Sequence, residues 1–213
     1  MNDQLQVHDE HCVFIVDDDK SVLTAVSRLL TTAGYRVKTF DSPMSFLAEH
    51  DPSVPGCALL DIGMAEVDGL ALQDILTRSD HARPIIFITG NDDVKTSVRA
   101  MKAGALDYLT KPVQDTALLA AVETALGADL EARRARSEQS VVRDRFEQLT
   151  SREREVMALV VRGRLNKQIA ADLGIVEKTV KVHRARVMEK MGVRSVAALV
   201  HVSEKLPAAG ALS

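Results

Sequence analysis

Long apolar runs are missing from this 213-residue chain: none approaches the roughly 18 residues that a membrane-spanning helix needs. The acidic start "MNDQLQVHDE" lacks the basic and apolar regions of a signal peptide. Cysteine is scarce. Two residues, Cys12 and Cys57, give neither a disulfide framework nor a paired-cysteine metal motif, so a reducing cytoplasm is the expected compartment. "HDEHC" (residues 8–12) has metal-ligating residue types, but so short a terminal tract reads as a solvated tail rather than a metal site. Aromatic residues make up only 3% of the chain, yet the apolar content of 46% is ordinary for a soluble protein. It suffices for one large core or two small ones.

The small net charge of -3 hides an asymmetry. Residues 1–127 carry a net -9 and residues 128–213 a net +6. An acidic front half joined to a basic back half suggests two domains, the second with a polyanionic partner.

In the front half, short apolar runs recur at "VFIV" (13–16), "VKTF" (37–40), "CALL" (57–60), "IIFI" (85–88) and "DYLT" (107–110). Stripes with helical spacing lie between and after them: Leu23, Val26, Leu29 and Leu30; Leu70, Leu72, Ile75 and Leu76; Val94, Val98 and Met101; Leu118, Leu119, Val122 and Leu126. Gly34 and Gly104 stand where helices should end, and Ser42-Pro43 offers an N-cap followed by proline. Five strands alternating with helices imply a parallel sheet covered on both faces. The functional crevice of such a sheet lies beyond the carboxyl ends of its strands.

Those ends are chemically loaded. Asp17 and Asp18 close the first strand, Asp61 the third, Thr89 the fourth, and Thr110-Lys111-Pro112 the fifth. Carboxylates crowded at one sheet edge repel unless a divalent cation neutralises them, and a hard ion such as Mg²⁺ takes carboxylates, a backbone carbonyl and waters. With Lys111, the edge combines a carboxylate nucleophile, a metal and an ammonium, as accepting a phosphoryl group requires.

Residues 10–127 thereby resemble the receiver domain of two-component response regulators, through "FIVDDD", "LLDIGMAEVDG", "IIFITG" and "DYLTKP" in the expected order. The resemblance implies a flavodoxin-like fold with Asp61 as the phospho-acceptor. Asp18, Asp61 and the Gly63 carbonyl would hold Mg²⁺, with Asp17 acting through the metal's water. Lys111 and Thr89 would contact the phosphoryl group, Tyr108 would be the aromatic switch, and the Lys111-Pro112 bond would be cis. The loop after Asp61 departs from the family: Gly63 replaces a larger side chain, and Ala65 the usual proline.

"VFIVDDDKSV" also fits the haloacid-dehalogenase-like phosphatase pattern, with Asp17 as nucleophile, Asp19 as acid and "GNDD" (90–93) as the metal-binding pair. That reading leaves Asp61 and "LTKP" without a role and provides little chain for a cap domain. The receiver reading is preferred, with Asp19 an outlying, solvent-facing charge and the protein not an enzyme.

After Gly127, "ADLEARRARSEQSVVRDRFEQ" is rich in helix formers and poor in apolar residues, so residues 128–147 are expected to be a helical linker. From residue 148 the pattern tightens. "TSRE" (150–153) is a capping box, "KQIAADLG" a short helix ended by glycine, and "EKTVKVHRARVMEKMG" a helix with Val180, Val187 and Met191 inward. A basic second helix after a glycine turn describes a DNA-reading helix-turn-helix, and a final helix is expected from Ser195 to about Lys205. Residues 149–205 resemble the LuxR-type module. Lys178, Thr179, Lys181, Val182, Arg184 and Arg186 are the candidate DNA contacts, and Val176 stands where a capping Ser or Thr is usual.

Together the halves resemble a FixJ-type, NarL-family response regulator: receiver 1–127, linker 128–147, helix-turn-helix domain 148–213. The resemblance implies a partner histidine kinase, Mg²⁺ as cofactor, no membrane, and a homodimer on activation. The DNA site is then double-stranded with inverted half-sites.

Overall fold

A computed structural model describes residues 11–64, 68–78, 82–90 and 94–206. The chain divides into two compact units, Met1–Ala132 and Arg133–Ser213.

In the first unit, β1 (Cys12–Val16), β2 (Arg36–Phe40), β3 (Gly56–Asp61), β4 (Ile85–Thr89) and β5 (Asp107–Thr110) form one parallel sheet in the order β2-β1-β3-β4-β5. This is the doubly wound, flavodoxin-like arrangement expected from the alternating pattern. Side chains alternate across the pleat. Phe14, Val16, Leu60 and Phe87 pack on one face with Phe40 and Phe46, while Val13, Ile15, Leu59, Ile86 and Ile88 pack on the other with Leu23, Leu30, Leu118 and Val122. Because β1, β3 and β4 are buried along their whole length, they carry unbroken apolar runs. Edge strand β2 buries only Phe40 outright.

The helices are α1 (Lys20–Thr32), α2 (Pro43–Glu49), α3 (Gly69–Thr77), α4 (Val94–Lys102) and α5 (Asp115–Glu147). Ser42 caps α2 by accepting from the Ser45 amide, with Pro43 in the first turn, as the sequence suggested. Two stripes need correction. Ile75 of α3 is 48% exposed, and the buried place beside Leu72 and Leu76 is taken by Gln73, which donates to the Ala100 carbonyl at 3.1 Å. On α4 the stripe faces away from the core: Val94, Val98 and Met101 are 73%, 45% and 46% exposed, and Ala100 is the buried residue. Spacing identifies an apolar face but not whether the same chain covers it.

The second unit contains the end of α5 with α6 (Ser151–Val161), α7 (Asn166–Leu173), α8 (Glu177–Lys190) and α9 (Val196–Ser203). Their core comprises Val156, Met157, Val160, Ile169, Val180, Val187, Met191 and Leu199, joined by Val142 and Phe146 of α5. Thr150 and Glu153 form the expected capping box at the start of α6. The division at Ala132/Arg133 falls inside the stretch read as a linker, and α5 runs through that stretch with no separate start.

Candidate functional site

The carboxyl ends of the central strands gather the acidic residues and the lysine. Asp17 follows β1 directly, and its amide donates to the Phe40 carbonyl. Asp61 ends β3, whose neighbour β4 ends in Thr89. Lys111 follows β5, held by its own amide donating to the Thr89 carbonyl at 2.7 Å, and Lys111-Pro112 is cis.

The Lys111 ammonium bridges the two buried acids, with Nζ 2.7 Å from Asp17 Oδ2 and 2.8 Å from Asp61 Oδ1. The remaining oxygens accept backbone amides: Asp17 Oδ1 from Asp19 at 2.9 Å, Asp61 Oδ2 from Gly63 at 2.6 Å. Burial pushes the Asp17 carboxyl above its ordinary value, outweighing Lys111 and the Asp19 amide, and the charge on Asp61 adds to the rise. Burial pulls Lys111 down, but hydrogen bonds and charge from Asp17 and Asp61 together outweigh it, so the ammonium titrates above its usual value. Asp18 is exposed, Thr89 is buried, and Tyr108 lies half-buried in β5 against the Phe87 side of the sheet.

The loop after Asp61 packs closely on it. A Cβ on Gly69 would lie 2.3 Å from the Asp61 carbonyl oxygen, so glycine is required there. Gly63 leaves room beside Asp61 Oδ2. Ala65 lies outside the described residues, as do residues 8–10 of "HDEHC" and Asn91, Asp92 and Asp93 of "GNDD".

Two buried carboxylates sharing one ammonium keep a net negative charge, which fits a hard cation. Mg²⁺ takes only one or two carboxylates and retains waters. No three His, Cys, Asp or Glu side chains converge among the described residues.

Asp19 has a role the sequence did not reveal. Its carboxylate is the N-cap of α1, accepting from the Ser21 amide at 2.8 Å and the Ser21 hydroxyl at 2.6 Å.

In the second unit, Lys178, Lys181, Val182 and Arg186 are exposed on α8, with Thr179 half-buried. Arg184 is held rather than free, donating to Asn166 Oδ1 at 2.9 Å. His183, on the same helix, is half-buried. Val176 provides no side-chain cap for α8.

Sequence reasoning also missed three buried polar residues. Glu153 is 2% exposed and pairs with Lys190 at 2.6 Å. Asp129, fully buried, accepts from the Gly56 amide at 2.8 Å. Arg83 is buried with its guanidinium over the Phe14 ring. Only Glu153 carried a signal, as the third position after Thr150 in the capping box.

Both halves of the chain match known families. The family model of the response regulator receiver domain matches residues 13–123, and that of bacterial regulatory proteins of the luxR family matches residues 147–203. Response regulator protein TmoT of Ectopseudomonas mendocina is 43% identical over 206 residues, covering 97% of this chain and 91% of TmoT. Among solved structures, response regulator StyR is 47% identical with a TM-score of 0.82, covering 92% of this chain and 99% of StyR. Full-length FixJ from B. japonicum is 33% identical with a TM-score of 0.55, covering 91% and 96%.

Proposed function

This chain belongs to the FixJ/NarL family of two-component response regulators, and from that membership and its two sites we propose that a histidine kinase phosphorylates Asp61 to control DNA binding through α8. The observation that carries this reading is Lys111 bridging Asp17 and Asp61 at the sheet edge. An Asp61 oxygen attacks the phosphorus of a phosphohistidine. The P–O bond forms, the P–N bond breaks, and the leaving imidazole takes up a proton. Bound Mg²⁺, held by Asp18, Asp61 and the Gly63 carbonyl with Asp17 acting through water, would supply charge neutralisation at the phosphoryl oxygens. Lys111 is already hydrogen-bonded to the acceptor and can shift from Asp61 Oδ1 to a phosphoryl oxygen with little travel. The chain thus receives a phosphoryl group rather than turning over a substrate.

Phosphorylation adds close to two negative charges beside Asp17. The hydroxyl of Thr89 and the ammonium of Lys111 satisfy them by moving, and half-buried Tyr108 follows. The exposed apolar residues of α4, Val94, Val98 and Met101, then offer a second copy of the chain a surface to cover. A homodimer would present two copies of α8 to inverted half-sites. Exposed Lys178, Lys181 and Arg186 suit phosphate contacts, and Val182 and Thr179 base or backbone contacts; Arg184 would reach DNA from its bond to Asn166. Among the described residues no helix is long and apolar enough to cross a membrane.

The test is mass spectrometry after incubation with Mg²⁺ and a small-molecule phosphodonor. A phosphoryl group on Asp61 is expected. Modification of Asp17 with Asp61 untouched would overturn the reading.

A further inference from the structure

We infer that Gln73 is a positioning residue for α4. It anchors the C-terminal end of that helix to α3, so that a phosphoryl group on Asp61 moves the N-terminal end alone. This rests on the proposed phosphorylation-controlled pairing through Val94, Val98 and Met101, and every residue involved belongs to the first unit.

The anchor has a fixed base. A Cβ on Gly69, the first residue of α3, would lie 2.3 Å from the Asp61 carbonyl oxygen and 3.1 Å from the Ile62 Cα. The Gly69 amide donates to the Ile62 carbonyl at 3.2 Å, and Asp68 caps the same turn by accepting from the Ala71 amide at 2.7 Å. The start of α3 is therefore seated on the backbone of the acceptor residue. Gln73 stands one turn further on, on the face of α3 that carries Gly69. Its side chain is fully buried, and Nε2 donates to the Ala100 carbonyl at 3.1 Å.

Ala100 lies in the last turn of α4, where carbonyls run out of intrahelical partners. Its carbonyl also accepts from the Ala105 amide at 3.1 Å, the Gly104 amide donates to the Met101 carbonyl at 3.0 Å, and Gly104 has φ +94. These bonds close the helix in a Schellman turn. One carbonyl thus holds both the turn and Gln73, as its two lone pairs allow. The Leu106 amide then donates to the Ile85 carbonyl at 2.8 Å, and β5 follows with Tyr108. At its other end α4 starts at Val94, shortly after Thr89, the proposed phosphoryl contact. A helix held at one end and driven at the other swings about the held end. Val94 and Val98 then travel further than Met101.

Packing alone does not call for glutamine here. Oε1 is buried and accepts no hydrogen bond among the described residues, so the amide is only half used. Methionine would fill a similar space without stranding an oxygen. The donor to Ala100 is what glutamine adds.

The test compares full-length wild type and Gln73→Met, each with and without acetyl phosphate and Mg²⁺. The readouts are amide-resolved hydrogen exchange and the concentration at which half the protein is dimeric. In the wild type, phosphorylation should change exchange at Val98 and Arg99 several-fold and leave Gly104 and Ala105 as they were. Gln73→Met should be phosphorylated on Asp61 to the wild-type extent. Its exchange at Gly104 and Ala105 should rise on phosphorylation, and its phosphorylation-dependent gain in dimerisation should fall several-fold. A residue that merely packs would raise exchange equally with and without phosphodonor and leave the gain intact, and that result would overturn the inference. So would a wild-type response at Gly104 and Ala105 as large as that at Val98 and Arg99, a measurement that needs no variant. A wild type left unmodified on Asp61, or modified there with no gain in dimerisation, would instead overturn the proposed function, and this inference with it.

Discussion

Lys111 at the end of β5 reaches Asp61 at the end of β3, Nζ to Oδ1 2.8 Å, and the same nitrogen holds Asp17. One ammonium therefore bridges two buried carboxylates. Lys111→Ala leaves that pair without its cation, so stability at neutral pH should fall by about 2 kcal/mol. Mg²⁺ should restore much of the loss. Chemical denaturation with and without Mg²⁺ measures both effects. The variant should still accept a phosphoryl group but gain little DNA affinity from it. An unchanged gain would remove Lys111 from signalling.

The raised pKa of Asp17 makes the metal response depend on pH. Folding favours the protonated form, so without metal this group's stabilising contribution is full below the ordinary carboxylate pKa of about 4 and is lost as pH rises through the higher folded value. Mg²⁺ favours the ionised form, so its stabilisation should grow with pH over that same window. Thermal melts with and without Mg²⁺, for wild type and Asp17→Asn, isolate the effect. A Mg²⁺ shift in the wild type with no pH dependence through this window would contradict it.

Glu153 behaves in the opposite sense. Burial raises its pKa, but hydrogen bonds from Lys190 and from the amide and hydroxyl of Thr150, with the Lys190 charge, outweigh burial and hold it below the usual glutamate value. Its stabilisation is present above the unfolded pKa and lost as pH falls through the folded one. Glu153→Gln should cost the second unit about 1 kcal/mol at neutral pH, since glutamine keeps the capping hydrogen bond but loses the ion pair. The difference from wild type should vanish in acid, measured by circular dichroism on denaturant titration.

The doubly wound sheet was legible because β1, β3 and β4 are buried on both faces and read as continuous apolar runs. Strand ends and caps were legible because Asp61, Lys111, Ser42 and Thr150 act within a few residues of chain punctuation. The exposed stripe of Val94, Val98 and Met101 was not, since an apolar face awaiting a partner has the same spacing as one in the core. Asp129 was hidden for another reason. Its partner Gly56 lies 73 residues away, and no local pattern announces a long-range hydrogen bond. Arg184 showed its charge in the sequence but not its bond to Asn166.

On α8, Lys178, Lys181 and Arg186 are exposed and should lie against phosphates. Alanine at any one should weaken binding to all duplexes and lower the salt slope by about 0.9. Arg184, tied to Asn166, should alter sequence preference more than the slope. Fluorescence anisotropy over a salt series on several duplexes separates the two behaviours. Intact slopes in the triple variant would point the basic face to a protein partner instead.

Under the proposed mechanism the charge state of Asp61 governs DNA binding by α8. Its most direct test is DNA affinity at fixed salt, for wild type and Asp61→Asn, before and after phosphodonor with Mg²⁺. Tighter binding by the treated wild type is expected, with dimer formation, and no response from Asp61→Asn. An equal gain in both proteins, or none in a wild type phosphorylated on Asp61, would contradict it.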